Sequence, residues 1–180
     1  PADSAGSRGV NYVDNEDNWK AAVEDALKNS KKGEILIESL LPGDEYTVET
    51  FTCGGITSIL TITKKKKVSS SNGTVANELF VPDLASFERE IIEKTVISAI
   101  NALSYTDGPG HTEIMYDSVH GVGLIETAGR GPGFFMFEKF IPLASGYDIV
   151  KNSIIQSVGN VPEPCVVMNR SVLMRYFPCK

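Results

Sequence analysis

The chain has 180 residues, a formal net charge of −6, 42% hydrophobic residues and 22% charged ones. That is enough for one sizeable core, or for one domain with an added lobe, in ordinary globular proportions. The acidic balance argues against a nucleic-acid partner, whose phosphates favour a basic surface, and no apolar run reaches the length of a membrane span. Cys53, Cys165 and Cys179 are widely spaced with no CxxC pair, and no secretory leader is recognised. Together these predict a reduced, cytoplasmic setting.

The chain opens with PADSAGSRGV, in which Ser4, Gly6, Ser7 and Gly9 make a loop whose backbone N–H groups can approach an anion closely. A short strand is predicted at Val10–Val13. A helix is predicted over Asn15–Lys28: Asn15 can cap it, acids fill its first turn, and Trp19, Ala22, Val23, Ala26 and Leu27 form an apolar stripe. Glu34–Leu41 reads as a strand that breaks at Pro42-Gly43. Glu38 and Glu45, seven residues apart, lie at either side of that bend. Tyr46–Phe51 and Ile56–Ile62 form a hairpin across Cys53-Gly54-Gly55.

Lys64–Lys67 is a basic run, of the kind that usually marks the solvated end of a strand; attraction of an anionic substrate is the alternative. Ser69–Val75 reads as a surface loop. Pro82-Asp83 opens a long helix to Leu103, with Leu84, Phe87, Ile91, Ile92, Val96, Ile97 and Ile100 at helical spacing. After the hairpin described next, Phe137–Leu143 and Tyr147–Val158 read as helices, and Val172–Phe177 as a last strand.

The stretch GPGHTEIMYDSVHGVGLIETAGRGPG, from Gly108 to Gly133, reads as two strands joined by a tight turn at Asp117, Ser118 and Gly121. Side chains alternate along a strand, so His111 and Glu113 share one face, as do Glu126, Ala128 and Arg130 on the return. A turn centred near His120 brings Glu113 opposite Glu126. Two facing carboxylates repel unless a hard cation sits between them. Arg130 adds a fixed positive charge suited to phosphate oxygens. His111 reads as a hydrogen-bonded strand histidine, since Mg²⁺ prefers oxygen, and His120 as an exposed turn residue.

These motifs resemble the ATP-grasp superfamily, of the carboxylate–amine ligase type that includes carbamoyl-phosphate synthase and biotin carboxylase. HTE followed by IETAGRGPG is similar to the family's acidic residue on one strand and Glu-x-Asn-x-Arg on the next. The resemblance implies Glu113 and Glu126 as metal ligands and Arg130 as the catalytic, phosphate-facing arginine. Ala128 stands where the pattern has Asn. It implies an α+β fold: the C-terminal part of an ATP-grasp domain, an antiparallel sheet with packed helices and the end of the lid. Residues 1–38 would be that lid, with Ser4, Gly6, Ser7 and Gly9 over the triphosphate. Residues 39–180 would carry the metal and nucleotide site. Glu38, Ser39, Leu40 and Leu41 would border the adenine, with Glu45 on the ribose. ATP and Mg²⁺, or Mn²⁺, are the implied cofactors, and a small-molecule carboxylate and an amine the substrates. The resemblance also implies an N-terminal lobe ahead of Pro1, and it leaves homo-oligomerisation open. The activity implied is ADP-forming ligation through an acylphosphate. A nucleotide-binding but inactive module and a plain α+β scaffold are the rivals.

Overall fold

A computed structural model describes residues 1–4, 6, 8–67, 76–133 and 135–177. The loop reading at Ser69–Val75 lies outside the described residues, as does Ser7. The chain divides into two compact units, one built on Pro1–Leu40 and one on Leu41–Lys67 with Ala76–Lys180.

The first unit contains helix α1, Glu16–Asn29. Asn15 caps it as predicted, its side chain accepting from the Asn18 N–H at 3.1 Å. At the other end Asp3 accepts from the Ser30 hydroxyl and from the Lys31 and Lys32 N–H groups, which ties the start of the chain to the loop after the helix. The predicted strands at Val10–Val13 and Glu34–Leu41 do not form. Both segments carry β-branched or apolar residues, but among the described residues no strand lies beside either, and a strand needs a partner for its N–H and C=O groups.

The second unit is a six-stranded antiparallel sheet: β1 Asp44–Cys53, β2 Ile56–Lys67, β3 Ala76–Phe80, β4 Gly108–Asp117, β5 Gly121–Ala128 and β6 Leu173–Arg175, in spatial order β5-β4-β1-β2-β3-β6. The β1–β2 hairpin turns at Gly54 and Gly55, with φ of 57° and 79°, left-handed values that glycine adopts without strain. Helix α2, Ser86–Ala102, starts three residues later than the Asp83 reading, where the Glu88 carboxylate accepts from the Ala85 N–H. Its buried side chains, Ile92, Val96 and Ile100, pack on Tyr46, Val48, Ile62, Ile114 and Tyr116. These strand residues alternate along β1, β2 and β4, so they define one apolar face.

The opposite face carries a second core of Phe51, Leu60, Ile141, Tyr147 and Ile149 and a third of Leu79, Met136, Phe140 and Ala144. These bring in the C-terminal helices α3, Ile141–Ser145, and α4, Ile149–Ser157. A π-helical turn over Met136–Phe140 leads into α3. Pro142 follows it and has no N–H to give, which fits the wider loop at this point.

Three ladders carry a register shift, and two of these bulges set the side-chain directions on β1, β2, β4 and β5. Leu60 is extra in β2, because Glu49 pairs with Thr61 and Thr50 with Ile59. Ile125 is extra in β5, because Glu113 pairs with Glu126 and Ile114 with Leu124. A bulge breaks strict alternation, so residues of the same parity on either side of it point to opposite faces.

Candidate metal centre

The face of the sheet away from α2 carries a continuous row of charge. Glu49 on β1 is fully buried and lies opposite His111 on β4. Its carboxylate is 2.8 Å from His111 Nδ1. His111 Nε2 is 3.4 Å from Glu113 Oε1. Lys65 Nζ on β2 donates to that Glu113 oxygen at 2.5 Å and to Glu45 Oε1 at 2.6 Å. Lys67 completes the row at 2.6 Å from Glu45 Oε2. The acids and bases thus alternate across three strands, so each charge taken from water meets one of opposite sign. Thr61 and Thr63 lie on the same face, buried, with hydroxyls that have no hydrogen-bond partner among the described residues.

The electrostatics follow from this row. Burial works to lower the His111 pKa, but hydrogen bonds to Glu113 and Glu49 outweigh it and push it up to about 9. Burial works to raise Glu113, but His111 and Lys65 hold it down to about 2. For Lys65, burial lowers and the two glutamates raise, with a net rise. Complete burial raises Glu49, and His111 pulls it part of the way back.

Glu113 and Glu126 are direct register partners across β4 and β5, as the hairpin reading predicts. With His111 they form a set in which one ligand atom from each residue lies within 4.8 Å of the others. Two carboxylate oxygens and an imidazole nitrogen at that spacing fit a divalent cation. Arg130, just past β5, is exposed and donates to the Gly131 carbonyl at 3.0 Å. Ala128 lies directly across from His111.

The other sequence-predicted positions fall as follows. Ser4, Gly6, Gly9, Glu38, Ser39 and Leu40 belong to the first unit, with Gly6 and Gly9 at φ of 66° and 73°. Leu41 and Glu45 belong to the second. Leu41 packs on Gly123, where a Cβ would come within 2.7 Å of Leu41 Cδ1. Glu45 is largely buried and engaged by Lys65 and Lys67. The lysine run is not the solvated strand end that its composition predicts: Lys64 pairs with Asp44 at 2.6 Å, and only Lys66 is mainly exposed. The run borders a cavity of about 410 Å³ lined by Glu45, Lys64–Lys67, Phe80 and Met115, among others. His111 is hydrogen-bonded within the sheet and His120 sits exposed in the turn against Asp117, as expected. Sequence reasoning missed Glu49 and Lys65. The signal for Glu49 was available, since it shares its parity along TVETFT with Phe51, whose large apolar side chain marks a covered face.

Fold and site together define an α+β domain with a metal-competent, charge-lined face on an antiparallel sheet. A family model described as an ATP-grasp domain matches residues 1–136, and the chain belongs to that family. No curated protein matches it. Among solved structures, the chain is similar to biotin carboxylase from Campylobacter jejuni, in complex with β,γ-ATP, at TM-score 0.80 and 19% identity, over 96% of this chain and 39% of that one. It is similar to the biotin carboxylase domain of 2-oxoglutarate carboxylase from Hydrogenobacter thermophilus, a dimer with MgADP and bicarbonate, at TM-score 0.76 and 19% identity, over 94% and 38%. It is similar to L-amino acid ligase from Bacillus licheniformis at TM-score 0.73 and 23% identity, over 83% and 36%. At these identities the likeness establishes the ATP-grasp fold, and the chain spans less than two-fifths of each of these proteins. Among the described residues no helix is long and apolar enough to cross a membrane.

Proposed function

We propose that the chain is the metal- and nucleotide-binding part of an ADP-forming, cytoplasmic ligase that activates a carboxylate as an acylphosphate for attack by an amine or similar nucleophile. The observation that carries this reading is the pairing of Glu113 with Glu126 on a charged sheet face, in a chain of the ATP-grasp family. The ligase and the nucleotide complexes among its structural neighbours support it.

In this reading residues 1–38 end the lid and residues 39–180 form the C-terminal subdomain. Ser4, Gly6, Ser7 and Gly9 are assigned to phosphate binding, Glu38–Leu41 to the base, and Glu45 to the ribose. Glu113 and Glu126 hold Mg²⁺ or Mn²⁺, which when bound neutralises charge on the phosphoryl oxygens. Arg130 turns from the Gly131 carbonyl to the transferring phosphoryl group, where negative charge is spread over three oxygens in the transition state. The substrate carboxylate attacks the γ-phosphorus, ADP leaves, and the nucleophile then displaces phosphate from the acylphosphate. No covalent enzyme nucleophile is needed.

Glu126→Gln is expected to abolish Mg·ATP-dependent ADP release by the full chain in the presence of acceptor. Unchanged release would remove Glu126 from the metal site. Ala128 at the usual Asn position favours a second reading, a module that binds nucleotide without turning it over. Calorimetric ATP binding with no ADP formed under any acceptor would select it.

A further inference from the structure

We propose that His111 is a third protein ligand of the cation, bound through Nε2, and that it tunes the site toward Mn²⁺ and later first-row divalent ions over Mg²⁺. The inference rests on the reading above that Glu113 and Glu126 hold a divalent cation.

The geometry points to His111 in three ways. First, His111, Glu113 and Glu126 each offer an atom within 4.8 Å of the others, so one ion can touch all three. Second, the imidazole is held in place. Its Nδ1 lies 2.8 Å from the fully buried Glu49, which sits on the neighbouring strand directly opposite it. Nδ1–H donating to that carboxylate aims Nε2 at Glu113, and the cation takes the place of the Nε2 proton, which is released on binding. A carboxylate that fixes a histidine from behind is the common way proteins orient an imidazole toward a metal and make it a better donor. Third, the residue across the ladder from His111 is Ala128, whose methyl group supplies no donor. On this part of the sheet the imidazole is therefore the available donor next to the two carboxylates.

The chemistry of the set decides the metal class. Mg²⁺ is hard and takes oxygen ligands, whereas imidazole suits first-row transition ions. One nitrogen beside two carboxylates still admits Mg²⁺, but it rewards Mn²⁺ more. A cation at the centre also takes the position between Nε2 and the Glu113 oxygen, so Lys65 gives up its hydrogen bond to Glu113 and retains Glu45.

The test uses the full chain with Mn²⁺ and inorganic tripolyphosphate, which contains no nitrogen. Pulsed electron paramagnetic resonance reads nitrogen bound to Mn²⁺ directly. The chain has only two histidines, so His120→Asn isolates the signal. A nitrogen coupling is expected in the wild type and in His120→Asn, and its isotopic change on ¹⁵N-histidine labelling. His111→Gln should bind Mn²⁺ about tenfold more weakly and lose the coupling. The wild type should favour Mn²⁺ over Mg²⁺ by about tenfold or more, and Ala128→Asn should shift that ratio toward Mg²⁺. Should His111→Gln fail to fold, the labelled wild type decides alone. Mn²⁺ bound with no nitrogen coupling overturns the inference while the carboxylate reading stands. Failure of both Mn²⁺ and Mg²⁺ to bind overturns the two together.

Discussion

The two faces of one sheet are built on opposite terms. On the α2 face, Val48, Ile62, Ile92, Val96 and Ile114 leave no accessible surface and bring together only apolar atoms. On the other face, the same three strands turn Glu45, Glu49, Lys65, His111 and Glu113 inward, at positions only one residue away. The first face is worth roughly 1.5–3 kcal/mol for each large side chain removed from water. On the second, the cost of desolvating each charge consumes much of what its partner returns. The lesson is a division of labour along each strand: alternate residues hold the sheet together and present a costly, poised charge set.

The largest effect should come from breaking the apolar face. Ile92→Ala is expected to cost about 2–5 kcal/mol, read as a lower denaturant midpoint, with metal affinity per folded molecule unchanged. Altered affinity in the folded fraction would mean the faces are coupled. Next, Lys65→Met removes the cation shared by Glu45 and Glu113. It should destabilise the metal-free chain by about 1–3 kcal/mol and, by freeing Glu113, tighten Mn²⁺ binding in calorimetry. Weaker binding would make Lys65 part of the site rather than its placeholder.

Acidity sharpens the contrast further. His111, at about 9 against an ordinary 6.5, contributes stability that is complete below pH 6.5 and lost as pH rises through about 9. Glu113, at about 2 against 4.5, contributes stability present above pH 4.5 and lost as pH falls toward about 2. Around His111 stand Glu49 on β1, Lys65 on β2, Glu113 on its own strand and Glu126 on β5. Glu49, raised by burial, contributes stability that is complete below pH 4.5 and lost as pH rises through its raised value. Thermal melts with chelator should therefore fall away on both sides of the interval between about 4.5 and 6.5. A flat profile would mean the row carries no stability. The smallest effect should come from outside both faces: Lys94→Ala, whose pair with Glu90 is solvent-exposed, should leave the melting temperature unchanged.

The parts of this arrangement that were legible in sequence are the local ones. The pairing of Glu113 with Glu126 is the one expected from a turn near His120, although the pairs beside the turn centre on Val119 and the extra Ile125 supplies the remaining residue. α1 and α2 follow from caps and helical spacing. What could not be read was which strands become neighbours. β1 lies between β2 and β4, and that ordering alone brings Lys65 within reach of Glu113, 48 residues away. Composition made the lysine run look like solvated ends because its acidic partners arrive from other strands. Val10–Val13 and Glu34–Leu41 have the residues of strands and, among the described residues, no strand to pair with. The extra residue at Ile125 gives no signal of its own in the sequence.

That extra residue decides which side of the sheet the second carboxylate faces. Toward the turn, Val122 packs with Tyr116 and Leu124 pairs with Ile114; on the other side of Ile125, Glu126 pairs with Glu113. Were the beat strict from the tip onward, Ile125 would stand opposite Glu113 and Glu126 would turn to the α2 side. The bulge thus keeps the two carboxylates face to face on the edge of the sheet.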